Sequence, residues 1–436
     1  MTNPFPAADQ AEALKRDIGW LGSAVIALNG IMGAGIFALP GSLAADFGAF
    51  APLMIILFGL PIFLIALPLA EVASFYDRTG GPVAYAREAF GPFVAFQTGW
   101  TYFVARLSAF AANVTVFAAY AATLAPVFES LFARTLLIAG VIALFAAANL
   151  ASVRHAVGGL KALTILKVAP LLALALYALA TQGLSQGEVR LPEFSEVETA
   201  SLLILYAFVG FEHVVVLGGE TKDARRTIPR AMTATLLATI ALYFLVQLAY
   251  AAAMGDDDGG KAPLAAFGRT LLGEAGAVII SLAALFSIAG NCLSSAASTP
   301  RLAYALARDG LLPGWFAQVS KTRATPDNAI VFFCGLALAL ALTNGFALLA
   351  VVSTLARLLV YAVSLAALPI VRRRREAPPR RGVQKILAPA VLALGLAFCA
   401  FAVAQSKLDS WRVFGALLLV GAVLYAISRR AGRPAG

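Results

Sequence analysis

The sequence predicts an all-α integral membrane protein. Twelve transmembrane helices are expected, in two inverted five-helix repeats plus two peripheral helices, with helices one and six broken at the midplane. Three observations lead there. Hydrophobic residues make up 61% of the 436 residues and charged residues 13%, against about 45–50% and about 25% in soluble domains. The apolar residues fall in runs long enough to cross about 30 Å of hydrocarbon. Runs one and six carry glycines and a carboxylate at mid-depth, and they stand five apart.

In order, the runs lie near 18–41, 46–72, 92–125, 131–151, 158–181, 197–218, 229–254, 275–306, 328–343, 346–371, 386–405 and 410–428. They divide the chain into an N-terminal segment (1–17), a first repeat (18–181), a second repeat (197–371), two peripheral helices (386–428) and a tail (429–436). Counted together with the ends of the adjoining runs, the N-terminal segment, the even-numbered connections and the tail hold 24 Lys and Arg, and the odd-numbered connections hold 6. That bias predicts cytoplasmic termini, and it accounts for the net charge of +10 without nucleic acid. The basic run "RRRRE" at 372–376 reads as an anchor for the inner end of span ten. No cleavable signal is read at the N-terminus. Cys292, Cys334 and Cys399 lie within apolar runs and receive no chemical role. "GDDDGG" at 255–260 lacks the ligand spacing of an EF-hand, so it reads as a solvated loop. "NVT" at 113–115 lies inside span three, which removes it as a glycosylation signal.

Span one reads "IGWLGSAVIALNGIMGAGIFALPG", with Gly30, Gly33 and Gly35 at its middle. Span six reads "SLLILYAFVGFEHVVVLGGE", with Gly210 and Glu212 at mid-depth. A carboxylate there costs on the order of 2.5–3.5 kcal/mol on insertion scales. Spans 1–5 and 6–10 enter from opposite sides, which is the pattern of an inverted repeat with unwound segments meeting near the midplane. Unwinding bares N–H groups on one half-helix and C=O groups on the other. A zwitterionic amino acid fits such a seat without a charged side chain. The glycines lack dinucleotide spacing and no strand precedes them, so a Rossmann reading fails.

"GIMGAGIFALPG", "AEVASFYDRTGGPVAYAREAFGP" (70–92), "YAFVGFE" with "GGETKDARRTIPRA", and "RLAYALARDGLLP" (301–313) stand in order along spans one to eight. With them the chain resembles the bacterial amino acid permeases of the amino acid–polyamine–organocation superfamily. The resemblance implies the LeuT-like fold and alternating access. It implies substrate contacts at Ile31, Gly33, Ala34 and Gly35 in span one and at Tyr206, Ala207, Phe208 and Gly210 in span six. Tyr206 and Phe208 are the aromatics expected to pack on the substrate or close it off. Ser295 and Ser353 match pocket positions of arginine-exchanging relatives, whose large span-eight aromatic is absent here.

Lys167 stands in "LTILKVAPLL", roughly 14 Å into span five by helix rise. By the resemblance it takes the place of the sodium ion of sodium-coupled relatives and reaches carbonyls of residues 30–34. It is also a candidate proton carrier, with snorkelling to the cytoplasmic face as the alternative. Arg106 and Arg357 lie at mid-span and mark a pathway or a buried ion pair. Arg106 is expected to receive an acidic substrate side chain or pair with Glu212, and Arg357 to gate the pathway or bond to bared carbonyls. The alternative for both is a structural clamp. His155 falls in a cytoplasmic loop, and His213 reads as a packed neutral residue. Three cations against one membrane carboxylate favour neutral amino acids, with acidic ones second. A bacterial inner-membrane carrier is therefore expected, with protons and an amino acid as its small-molecule partners. Symport and exchange both stay open.

No HExxH, P-loop or GxSxG is present, so a membrane enzyme lacks its machinery. No cofactor and no metal set is read. An ATP-driven pump would need a soluble nucleotide domain. A channel would show a filter signature, and remains the alternative of a different class.

Overall fold

The computed structural model describes residues 18–76, 81–150, 160–184, 191–216, 221–320 and 325–431. Segment 1–17, His155 and residues 432–436 lie outside the described residues. Among those described, the structure is helical, with one isolated bridge between Ile18 and Thr221.

Run one forms two helices, α1 (Trp20–Ile31) and α2 (Gly35–Phe47). Run two is also divided, into α3 (Ala51–Gly59) and α4 (Ile62–Ala73). Pro61 stands at that division and has no N–H to continue the ladder. A short helix, α5 (Gly81–Phe90), occupies what the sequence presents as a loop. Then come α6 (Pro92–Leu124), α7 (Leu131–Leu150) and α8 (Leu160–Gln182). Run six forms α9 (Phe194–Tyr206) and the four-residue α10 (His213–Val216). The remainder are α11 (Ala224–Met254), α12 (Pro263–Arg308), α13 (Asp327–Thr343), α14 (Phe346–Arg374), α15 (Gln384–Ala404) and α16 (Leu408–Ala431).

Two starts differ from the hydropathy reading. α11 begins at Ala224, so Pro229 stands inside the helix, where it removes one ladder hydrogen bond. α12 begins at Pro263 and bends at Gly273 (φ 63, ψ −154). The short leading helix folds back on the long one at two glycines: a methyl on Gly276 would lie 2.1 Å from the Gly268 carbonyl oxygen.

α6 is the buried pillar, packed against α12 and α14. Its middle carries Ala105, Ser108, Ala109, Ala111 and Ala112, all buried, and small residues let neighbouring membrane helices approach closely. α16 docks on α6 through Trp100, whose indole N–H donates to the Leu417 carbonyl at 2.9 Å. Large apolar side chains such as Leu57, Leu144, Ile165 and Ile386 stand exposed on the outside, where acyl chains can cover them. By length and composition, nine helical segments among the described residues can cross a membrane, and Trp20–Ile31 and Asp327–Thr343 are shorter apolar helices.

Candidate functional site

The helical ladder of run one lapses over residues 32–34. Met32 caps α1 with ψ 80, and its carbonyl is left without a helical partner. Lys167 Nζ, on α8, donates to that oxygen at 3.2 Å, and Ser287 Oγ, on α12, donates to it at 3.3 Å. Lys167 is 1% exposed, so its ammonium ends on the break rather than snorkelling outward. On the other side of the break, the Ala34 N–H donates to Asn113 Oδ1 at 2.9 Å.

Run six lapses over residues 207–212. Gly210 has φ 112, which a side chain disfavours. Its N–H donates to Glu212 Oε2 at 2.8 Å, and its carbonyl accepts from His213 Nδ1 at 2.5 Å. The two lapses cross in contact. A methyl on Gly210 would lie 2.3 Å from Gly30 O, and one on Gly35 would lie 3.0 Å from Ala207 Cα. Glycine at 30, 35 and 210 thus lets two backbones touch. The sequence-predicted residues Ile31, Gly33, Ala34, Gly35, Ala207 and Gly210 come together here.

Tyr206 reaches the same place, donating from its hydroxyl to Asn113 Oδ1 at 3.2 Å. Phe208 points elsewhere. Its ring packs on Tyr243 (centroids 5.6 Å apart) and beside Gly59, a packing role between α9, α11 and α3.

Glu212 is fully buried and paired with Arg357, Nε to Oε1 at 3.0 Å. Its other oxygen accepts from Tyr361 OH at 2.6 Å. Arg357 Nη1 also donates to Ser353 Oγ at 2.6 Å, and Ser353 donates onward to the Ala105 carbonyl at 2.8 Å. The expected Arg106–Glu212 pair is therefore not formed. Arg106 is held instead by hydroxyls, with Nε on Thr299 at 2.9 Å, Nη1 on Tyr102 at 3.3 Å and Nη2 on Ser298. The reason is geometric: Arg357 and Tyr361 lie one turn apart on α14 and enclose the carboxylate, while Arg106 faces the α12 hydroxyl ladder. Ser295 stands in that ladder, 3.3 Å from Thr299. Ser353 and Ser295 thus sit within the arginine networks.

Sequence reasoning missed Asn113, Asn291, Ser287 and Tyr361. A buried asparagine in the middle of span three and a tyrosine four residues after a mid-span arginine were the available signals. Among the described residues, no group of three or more His, Cys, Asp or Glu side chains is placed to hold a metal.

A family model described as amino acid permease matches residues 18–424. The chain belongs to the amino acid permease family. This permease is 28% identical to an uncharacterised transporter of Mycobacterium tuberculosis over 98% of its own length and 95% of that protein. It is 26% identical to the serine/threonine exchanger SteT of Bacillus subtilis, over 96% of its own length and 98% of that protein. With the large neutral amino acids transporter small subunit 2 of Mus musculus it shares 28% identity, over 88% of its own length and 76% of that protein. The permease is accordingly a multi-pass membrane protein of an amino acid transport family.

Proposed function

We propose that this permease is a secondary amino acid carrier working by alternating access, with neutral amino acids as substrates. The carrying observation is the contact of two lapsed helices: run one bares the Ala34 N–H, and run six is unwound beside it between Tyr206 and His213. Donors for a carboxylate and acceptors for an ammonium then lie within one amino acid's reach. Residues 31–35 with Tyr206, Ala207 and Gly210 form that seat. Twelve spans, two inverted five-helix repeats and cytoplasmic termini in a bacterial inner membrane are the frame in which it works. The first and sixth spans are the ones whose unwound segments meet, and the Lys and Arg bias sets the orientation.

Charge supports the substrate class. Glu212 and Arg357 neutralise each other, whereas Lys167 meets a carbonyl and Arg106 meets hydroxyls. A cationic substrate would add repulsion. The two relatives with named substrates carry serine and threonine or large neutral amino acids. Lys167 supplies a cation to the break where sodium-coupled carriers place sodium, and it is the group that couples protons to transport. Exchange of one amino acid for another is a second reading, favoured by the match to a serine/threonine exchanger along 96% of this chain.

Proteoliposomes test all of this. Labelled neutral amino acids are expected to enter saturably against an unlabelled internal pool, and a pH gradient is expected to drive net uptake. Exchange without gradient-driven uptake would select the antiporter. A substrate-independent conductance would select a channel and overturn the carrier.

A further inference from the structure

Asn113 of α6 and Asn291 of α12 form a carboxamide pair across the two central helices, Asn113 Nδ2 donating to Asn291 Oδ1 at 2.8 Å. Their amide orientations are fixed by partners of single polarity. The Ala34 N–H can only donate, so the atom facing it is Asn113 Oδ1. The carbonyls of Asn29 and Gly30 can only accept, so Asn291 Nδ2 faces them, at 2.9 and 3.3 Å. The pair therefore grips both edges of the α1 break, N–H on one side and C=O on the other. Gly33 makes the room: a methyl there would lie 3.1 Å from Asn113 Oδ1 and 3.5 Å from Asn291 Cγ.

Asn113 Oδ1 also collects the Tyr206 hydroxyl. Two donors, one from each interrupted run, thus converge on a single oxygen, as they would on a carboxylate oxygen. One N–H cannot serve two acceptors well at once. We propose that the Asn113–Asn291 pair is a displaceable latch: the substrate carboxylate takes the Ala34 N–H from Asn113, and the pair releases its hold on the α1 break as the amino acid is seated. This rests on the carrier reading above and adds an internal competitor to it. Asn113 and Asn291 act as positioning residues that set how tightly the seat is held shut.

The experiment uses full-length protein in proteoliposomes with labelled L-threonine and L-leucine, reading KM and maximal exchange rate separately. Asn113→Ala is expected to lower KM about two- to tenfold, the worth of one hydrogen bond. Asn113→Asp keeps an acceptor against Ala34 and is expected to leave KM at or above the wild-type value. Asn291→Ala is expected to lower KM in the same direction as Asn113→Ala. The double variant should lower KM by less than the two single effects combined, because the two residues are coupled through their mutual hydrogen bond. An unchanged or raised KM in Asn113→Ala, or in Asn291→Ala should the first not fold, overturns the latch. Wild-type protein that exchanges neither amino acid overturns the neutral-substrate reading and the latch with it. Normal wild-type exchange with unresponsive variants overturns the latch alone.

Discussion

The Gly210 carbonyl lies so close to Gly30 that a methyl on Gly30 would lie 2.4 Å from Gly210 O and 2.3 Å from His213 Nδ1. The contact ties the last turn of α1, just before the lapse of run one, to the lapse of run six.

Gly210→Ala is expected to reduce amino acid exchange about ten- to hundredfold. The positive φ alone costs on the order of 1–3 kcal/mol for a residue with a Cβ, and the methyl also meets Gly30 O at 2.3 Å. Initial rates in proteoliposomes, normalised to monodisperse protein, measure it. Wild-type rates would refute the crossing.

Removing one member of the Glu212–Arg357 pair should destabilise strongly. Glu212→Gln strands a buried guanidinium, and breaking a buried pair typically costs about 3–5 kcal/mol. The double variant Glu212→Gln/Arg357→Met should recover much of the loss. Thermal unfolding in detergent of both singles and the double is the measurement, and simple additivity of the two losses counts against the pair.

Lys167→Ala should abolish uptake driven by a pH gradient. Ser287 still donates to the Met32 carbonyl, so the fold is expected to survive while the cation is lost. Unimpaired gradient-driven accumulation in this variant would remove Lys167 from coupling.

Outside the spans, Glu88 of α5 accepts from Arg375 at 3.0 and 2.7 Å. These hydrogen bonds hold its carboxyl below the usual range, with burial opposing. A carboxyl depressed in the folded state contributes stability in full above its unfolded value of about 4.3. The contribution fades as pH falls through the lower folded value. Acidification below about pH 4 should therefore lower the unfolding temperature of wild-type protein more than that of Glu88→Gln. Equal acid sensitivity would show that the pair contributes nothing.

The two lapses were legible in the sequence because clustered glycines and a mid-depth carboxylate both oppose an unbroken helix facing lipid. Lys167 was legible because a lysine at that depth must find an oxygen. The partners were not legible. Arg106 and Arg357 look alike as isolated mid-span cations, and which one meets Glu212 depends on the facing of α6 and α14 around a common axis. Asn113 resembled a surface sequon buried by chance. Its significance appears only when Ala34, Tyr206 and Asn291 arrive from three other helices. The Gly273 bend escaped hydropathy because the helix before it is too short to register.

The Met32 carbonyl takes its two donors from opposite halves of the chain, Lys167 from the first and Ser287 from the second. The kink in α1 is therefore stapled by side chains rather than tolerated as frayed backbone. On the carrier reading proposed above, the ordering entropy of that stretch is spent during folding instead of at docking.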